Sequence, residues 1–184
     1  PLTISGSTVT DSVYVASGVN ANITLSDVSI QLEEDDACAF EIAAGSTGDV
    51  SITLVGTNLL QSGGNRAGLQ KSGADAGVGT LTIDGEGSLT ATGGSDGAGI
   101  GGGKSGGGGS SQIIISGGNI TATGGSGAAG IGTSYGGNYG SNHNITIFGG
   151  NVIATGGGYA AGIGGGYTAD GNHNIDISGD AVVF

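Results

Sequence analysis

The sequence is short of residues on which several classes of protein depend. One proline in 184 residues, with no three-residue glycine register, excludes a collagen triple helix. A single cysteine, Cys38, leaves no internal disulfide to form. Three Lys and Arg residues against fifteen Asp and Glu give a net charge of −12, which opposes nucleic acid and anionic membrane surfaces as partners. No stretch approaches the roughly 20 apolar residues that span a bilayer, so we expect no membrane insertion.

Glycine is the residue in excess, with 45 copies in the chain, close to a quarter, against a usual share of about 7%. Because glycine costs roughly 1 kcal/mol relative to alanine at each helical position, a long amphipathic helix is excluded. Hydrophobic residues still make up 36% of the chain, and they alternate with polar residues in short β-branched runs. This pattern argues against glycine-rich disorder and predicts an ordered all-β protein.

A phrase of strand-forming residues followed by a glycine turn returns throughout the chain. The clearest copies are LTIDGEGSLTATGGSDGAGIGGG, IIISGGNITATGGSGAAGIGTS and ITIFGGNVIATGGGYAAGIGGG. With the weaker copies included, the phrases begin at Ile23, Ile52, Leu81, Ile113, Ile145 and Ile175, which gives periods of 29 to 32 residues. A period of this length predicts a solenoid or a repeat array.

Each repeat holds three segments of period-two alternation divided by glycine turns, which predicts three strands per coil. The prediction is an all-β, three-faced parallel β-solenoid, or β-helix, with right-handed winding and about six coils. We expect a single domain over 1–184, with an irregular first coil at 1–22, repeats at 23–174 and a partial last coil at 175–184. Because the chain opens on Pro1 without Met, we expect it to be a piece of a longer protein.

The alternation also assigns side chains to the core. The first strands point Ile83, Ile115, Ile147 and Ile177 inward in one stack. In an early coil, Cys38 and Phe40 alternate inward with Ile42, so we expect a buried thiol.

The third strands turn glycines outward, and these are Gly99, Gly101, Gly130, Gly132, Gly162 and Gly164. Such a bare face predicts one of two things. Either another chain, a neighbouring domain or a polysaccharide packs on it, or the glycines serve a tight curvature of the coil itself.

The phrases NRAGLQ, LTATGGSDGAGIGGG and ISGGNITATGG resemble the glycine-rich β-helical repeats of large surface proteins in Gram-positive, often gut-dwelling, anaerobic bacteria. From about residue 23 to 184 the chain is also distantly similar to the β-helical carbohydrate-binding domains of cellulolytic clostridia. In that family an acidic pair in each coil implies calcium ligands, and here only Asp35 and Asp36 retain it. The resemblance implies a secreted or cell-surface protein that attaches to polysaccharide or to a cell-surface glycan, without catalysis.

One corner of the solenoid collects side chains suited to sugars. Lys104, Tyr135 and Tyr167 each lie four residues beyond the inward aliphatic residue of a third strand, so they should form one column, with Tyr139 nearby in sequence. Tyrosine rings stack on the C–H faces of sugars while polar groups bind the hydroxyls. We therefore predict carbohydrate contact at Lys104, Tyr135, Tyr139 and Tyr167. The net charge of −12 should repel polyuronates, so the ligand we expect is a neutral or cationic polysaccharide. The alternative is that the tyrosines only cover turns and shield glycine backbone from water.

The densest charge cluster is the run Glu33, Glu34, Asp35 and Asp36. Carboxylate oxygens in a run suit Ca²⁺, which takes six to eight oxygen ligands, so this turn is a candidate calcium site. A solvated acidic turn explains the same residues. We expect no other cofactor.

His143 and His173 precede Asn144 and Asn174 at equivalent places, so these pairs should stack as ladders on adjacent coils. A transition-metal site would need a third or fourth ligand, and the sequence offers none, which favours the structural ladder.

Two coils carry outward threonine pairs, Thr90 with Thr92 and Thr121 with Thr123, as ice-binding solenoids do. The neighbouring coil places Leu60 and Ser62 beside them, so the array is short and ice binding is a minor alternative.

An enzyme acting on polysaccharide is the rival class. A lyase would draw its base from the cations Arg66, Lys71 and Lys104, all expected around the third-strand corner near Asp96. A hydrolase would pair carboxylates from Asp84, Glu86 and Asp96. Every turn is a few glycines, with no loops to build a cleft, so we expect no catalysis. The stronger competitor is a purely structural stalk in a large adhesin.

Overall fold

A computed structural model describes residues 1–73, 79–104, 112–137, 142–169 and 172–184. The elements in these ranges are β-strands. Across the same ranges, no helix has the length and apolar character needed to cross a membrane.

The strands are short, and glycine-rich turns separate most of them. They are β1 (Leu2–Thr8), β2 (Val13–Val15), β3 (Ala21–Gln31), β4 (Phe40–Ile42), β5 (Val50–Val55), β6 (Thr57–Gln61), β7 (Leu69–Lys71), β8 (Leu81–Gly85), β9 (Ser88–Thr92), β10 (Ile100–Gly101), β11 (Ile113–Ile115), β12 (Asn119–Thr123), β13 (Ile131–Gly132), β14 (Asn142–Ile147), β15 (Asn151–Thr155), β16 (Ile163–Gly164), β17 (Asn172–Ile177) and β18 (Val182–Val183).

Three parallel faces wind around one core. The first face runs β17-β14-β11-β8-β5-β3, and the second runs β3-β6-β9-β12-β15-β18. Because β3 is long enough to take part in both, the two faces merge into a 12-stranded sheet to which β1 also adds. The third face is the 6-stranded sheet β16-β13-β10-β7-β4-β2. The predicted three-faced parallel β-solenoid is therefore confirmed.

Aliphatic side chains fill the interior in stacks that follow the strand register. Ile83, Ile115 and Ile147 pair with one another in register and are fully buried. Ile177 continues this stack on β17, but it is 49% exposed because β17 has a neighbouring strand on one side only. Since each buried aliphatic side chain contributes roughly 1.5–3 kcal/mol, these stacks are a main source of stability.

The first coil is less regular than the later ones. It carries β1 and β2, and β1 pairs with β3 through a register shift between Ile4 and Gly6. Such a shift lets the chain bend while both of its halves still pair with the next coil.

The thiol of Cys38 is buried beside Phe40, as the alternation predicts. Cys38 is 7% exposed, Phe40 and Ile42 are fully buried, and the thiol donates to the carbonyl oxygen of Phe40 at 3.4 Å. Burial raises the pKa of the Cys38 thiol to about 12, and the nearby charge of Glu41 acts in the same direction. The thiolate, the reactive form, is therefore scarce at neutral pH.

The prediction of a bare glycine face is wrong, because the glycines of the third face are largely buried. A Cβ added to Gly99 would lie 2.6 Å from the amide nitrogen of Thr123 and 2.6 Å from the carbonyl oxygen of Gly130. A Cβ added to Gly130 would likewise lie 2.6 Å from the amide nitrogen of Thr155. The backbones of the second and third faces thus approach too closely for a side chain, which is the curvature interpretation. These glycines leave little surface on which another chain or domain could pack.

Candidate functional site

The corner that follows each third-face strand repeats one backbone hydrogen bond. The amide N–H of each corner residue donates to a carbonyl oxygen one coil earlier: Lys104 to Asn65 at 2.9 Å, Tyr135 to Asp96 at 3.0 Å and Tyr167 to Gly127 at 2.7 Å. The predicted column of Lys104, Tyr135 and Tyr167 is therefore present, and backbone bonds fix its spacing.

The side chains of this column are in contact. The ring centroids of Tyr135 and Tyr167 lie 5.7 Å apart with 40° between their planes. The Nζ atom of Lys104 lies over the Tyr135 ring, 5.1 Å from its centroid, at a distance suited to a cation–π contact. Tyr139, predicted to lie with them, falls outside the described residues.

A third ring, Tyr159, joins the corner, and sequence reasoning missed it. Its centroid is 5.4 Å from that of Tyr167, with 46° between the planes, and the residue is 90% exposed. Its φ of 66° is in the left-handed region, which a bulky residue rarely adopts. Alignment of the repeats is the signal that could have found it, because Tyr159 takes the place of Asp96 and Gly127 in the preceding coils.

Gly127 makes room for one of these rings. A Cβ at Gly127 would lie 2.5 Å from Cδ2 of Tyr135, so any side chain there would displace the ring. In three successive coils, the position before the third-face strand is Asp96, then Gly127, then Tyr159. The position after that strand is first a lysine and then, twice, a tyrosine. We call Asp96, Lys104, Tyr135, Tyr159 and Tyr167 the aromatic corner.

An ion pair closes one end of the aromatic corner. The Nζ atom of Lys104 donates to Oδ2 of Asp96 at 2.7 Å. This hydrogen bond, together with the charge of Asp96, raises the pKa of the Lys104 ammonium. The pair is partly exposed, so it offers a donor and an acceptor to a hydroxyl group lying beside the rings.

A shallow groove adjoins this corner. It has a volume of about 390 Å³ and follows the turns between the second and third faces over four coils, with residues 32–33, 61–64, 92–95 and 125–126 in its wall. Ser95 and Ser126 directly precede Asp96 and Gly127, so the groove runs alongside the aromatic corner.

The candidate calcium ligands Glu33, Glu34, Asp35 and Asp36 are exposed on the turn before β4. Among the residues that the structure describes, no group of three or more His, Cys, Asp or Glu side chains is arranged to hold a metal ion. Asp36 instead faces Asn65, whose Nδ2 donates to Oδ1 at 3.5 Å. The four carboxylates are not brought together, and calcium binding stays a prediction.

The cations expected to cluster for a lyase have separate surroundings. Arg66 donates to Oε1 of Glu41 at 3.2 Å, and Lys104 is bound to Asp96. Lys71 on β7 is fully buried, and within the described parts of the chain its Nζ has no hydrogen-bond partner. Burial lowers the pKa of Lys71, which the charge of Asp49 partly opposes. Arg66 and Lys104 lie at the same corner of adjacent coils, because the amide of Lys104 donates to the carbonyl oxygen of Asn65 at 2.9 Å. Each of the three cations nevertheless has its own partners or burial, and a lyase site stays a prediction.

The hydrolase candidates lie at two corners of the coil. Asp84 is the penultimate residue of β8 and Glu86 follows the strand, so both lie at the corner between the first and second faces. Asp96 lies at the next corner, between β9 and β10. Asp96 is therefore not placed to act with Asp84 or Glu86 on one bond of a substrate, and the expectation of no catalysis stays a prediction.

The asparagine ladder is present. Nδ2 of Asn174 donates to Oδ1 of Asn144 at 3.4 Å, and a second ladder, not predicted, joins Asn151 to Asn119 at 2.9 Å. The backbones of His143 and His173 pair in register on β14 and β17, while their side chains lie outside what the structure describes.

The threonine pairs are in register on β9 and β12, but the predicted neighbours in the coil before them are wrong by one residue. Leu59 and Gln61, not Leu60 and Ser62, pair with Thr90 and Thr92. Leu60 points into the core and is fully buried. The outward array is therefore interrupted by a leucine, as expected for a protein without a lattice-matching face.

The three regular coils carry the likeness to known proteins. A family model described as Beta helix repeat matches them. The matched residues are 81–104, 113–135 and 145–167, so each stretch ends at a member of the corner column. No curated protein and no solved structure matches the chain. The family matches support a β-helical repeat region.

Proposed function

We propose that this chain is a non-catalytic carbohydrate-binding and adhesion module of a bacterial surface protein, acting outside the cell. The aromatic corner holds the polysaccharide. The single observation that carries the proposal is the contact of the exposed Tyr167 ring with two further exposed rings, Tyr159 at 5.4 Å and Tyr135 at 5.7 Å, beside the Asp96–Lys104 pair. Aromatic faces with a few placed polar groups are the usual makeup of a sugar site.

The spacing along the axis supports this role. Tyr135 and Tyr167 are separated by roughly one coil, and parallel strands lie about 4.8 Å apart. A sugar ring is of similar length, so successive rings of one chain can contact successive tyrosines. The ligand therefore follows the solenoid axis along the corner.

A second candidate is the structural stalk. The same register that stacks Ile83, Ile115 and Ile147 would make a rigid spacer whatever the corner binds. The presence of the exposed aromatic corner favours the binding module, because a spacer has no need of three solvent-facing rings.

Glycan arrays and pull-down on insoluble polysaccharides test the proposal. Replacing Tyr135 and Tyr167 together by Ala should weaken binding tenfold or more, since each stacking ring contributes on the order of 1 kcal/mol and about 1.4 kcal/mol is tenfold. Tyr14→Ala is the matched control, because Tyr14 is 63% exposed on β2, away from the corner. If the array and the pull-down give no binding, the stalk takes the place of the binding module.

A further inference from the structure

The three rings of the aromatic corner do not share a plane. The planes of Tyr135 and Tyr167 meet at 40°, and those of Tyr167 and Tyr159 at 46°. A flat crystalline surface can therefore lie against only one ring at a time. A single chain whose successive sugars turn relative to one another can present a C–H face to each ring.

The cations that could hold an anionic sugar are already engaged. The chain has three Lys and Arg residues. Arg66 binds Glu41, Lys104 binds Asp96, and Lys71 is buried in the core. With a net charge of −12, the protein would repel a polyuronate that finds no unpaired Lys or Arg at the corner.

The Asp96–Lys104 pair also disfavours a cationic sugar. The Nζ atom of Lys104 lies 2.7 Å from Oδ2 of Asp96, so the ammonium group of an amino sugar would have to displace Lys104 to reach this carboxylate. Neutral hydroxyl groups need no such displacement, because a hydroxyl can donate to the carboxylate and accept from the ammonium while the pair stays intact.

Resting on the proposed function, we infer that the aromatic corner binds one chain of an uncharged polysaccharide in solution, and neither a crystalline face nor a charged polymer. The chain begins at the Asp96–Lys104 pair, passes Tyr135 and Tyr167, and ends on Tyr159. Tyr159 is thus a specificity residue of the site, since its tilt relative to Tyr167 selects a twisted chain.

The test compares soluble and crystalline probes on the same protein. Calorimetric titration uses soluble mixed-linkage β-glucan, xylan and glucomannan as neutral chains, polygalacturonate as the anionic chain and chitosan as the cationic one. Pull-down uses microcrystalline cellulose and crystalline chitin. We expect binding to at least one neutral soluble chain, weakened about tenfold by the Tyr135→Ala, Tyr167→Ala double variant and severalfold by Tyr159→Gly.

Two controls keep the result interpretable. Tyr14→Ala should bind as the unmodified chain does. Tyr159→Gly removes one ring at a place where Gly127 already stands in the preceding coil, so it remains informative where the double variant does not fold.

The remaining outcomes overturn the inference in distinguishable ways. Tyrosine-dependent binding to the crystalline probes alone, or tighter binding of polygalacturonate or chitosan than of any neutral chain, would overturn it and leave the proposed function standing. Failure to bind every probe would overturn both.

Discussion

Two regions of the solenoid, the early coils at residues 21–73 and the regular coils at 81–169, have the same three-faced fold but different core side chains. The early coils bury Phe40 and the long polar side chains of Asn58, Gln70 and Lys71. The regular coils bury mainly Leu, Ile and Ala, and their buried polar residues, Thr133 and Ser134, are small. Both regions bring the second and third faces close together at glycine, since a Cβ at Gly68 or at Gly130 would lie 2.6 Å from a backbone nitrogen of the second face. The two regions therefore differ in the size and polarity of the side chains that they enclose.

Two buried polar side chains of the early coils, Asn58 and Ser62, bind backbone atoms. Asn58 accepts from the amide of Val28 at 3.0 Å and donates to the carbonyl oxygens of Val55 and Ser88, both at 3.1 Å. Ser62 accepts from the amide of Ala39 at 2.8 Å. Ser62 also donates to the carbonyl oxygen of Ala67 at 2.7 Å, so it bridges two backbone groups whose equivalents in the regular coils bond directly, as the amide of Gly99 does to the carbonyl of Ala129 at 3.2 Å.

The largest expected effect comes from core truncation in the two regions. Phe40 and Ile131 belong to one column of the third face, and Phe40→Ala should lower the free energy of unfolding by about 4 kcal/mol against about 3 kcal/mol for Ile131→Ala. The larger loss follows from the larger cavity. Urea unfolding of both variants checks this, and a smaller loss at Phe40 would show that the early coils close around the space that the ring leaves.

Adding one methyl group to the regular coils sharpens the comparison. Gly130→Ala should lower the free energy of unfolding by about 2–3 kcal/mol, because the new Cβ would lie 2.6 Å from the amide nitrogen of Thr155. Gly158→Ala is the matched control, since its Cβ would meet nothing closer than 3.4 Å. Its expected change is within about 0.5 kcal/mol in the same urea titrations. Equal effects at the two sites would show that the faces are not in close contact.

The buried amine of Lys71 should make the free energy of unfolding depend on pH. Since burial lowers the pKa of Lys71 from 10.5, the unfolded chain holds a proton that the folded chain lacks between the lowered pKa and pH 10.5. The free energy of unfolding should therefore rise with pH through that window and be lowest below it. Lys71→Met should remove this rise and stabilise the protein by about 1–2 kcal/mol at neutral pH.

The measurement for Lys71 is a difference between two chains. Urea unfolding of the unmodified chain and of Lys71→Met at a series of pH values between 7 and 10 isolates the contribution of this amine, because the other titrating groups are common to both. If the free energies of unfolding of the two chains differed by the same amount at every pH, the proton affinity of Lys71 would be the same in the folded and unfolded chain.

The smallest expected effect on stability is at the aromatic corner. Tyr159→Gly removes a 90% exposed ring from a residue with a φ of 66°, so little packing is lost and backbone strain is relieved. The free energy of unfolding should change by less than about 1 kcal/mol, in urea titrations run beside the binding assay. A loss of several kcal/mol would mean that Tyr159 holds the coil together and is not a ligand-binding residue.

Most of the fold could be predicted from the sequence because parallel stacking copies one pattern from coil to coil. The spacing of Ile83, Ile115 and Ile147 predicts the register of the first strands, and the three alternating segments of each repeat predict three strands per coil. The early coils are harder, since Leu59 and Leu60 are both apolar and alternation alone does not say which faces inward. Asn58 decides it, by taking an inward place that the pattern reserves for apolar residues.

The candidate site could be predicted in part. The column of Lys104, Tyr135 and Tyr167 follows from counting residues beyond the third strand. Tyr159 does not follow from that count. Alignment of the repeats places it at the position of Asp96 and Gly127, but alternation gives no sign of its left-handed backbone. The prediction of a bare glycine face is wrong for a related reason. The sequence pattern does not distinguish a glycine that faces solvent from one that packs against another backbone.

The repeated amide bond at the corner makes the side chain there exchangeable. A lysine and two tyrosines make the same N–H contact with the coil below, at 2.7 to 3.0 Å, so the hydrogen bond does not depend on what the side chain is. Duplication of a whole coil would then lengthen a row of ligand contacts by one strand spacing, about 4.8 Å, without disturbing the coils already present. Unequal recombination within the repeats can therefore change the glycan specificity of the row more quickly than point mutations change that of a cleft. Each added coil supplies both its own strands and its own contact residue.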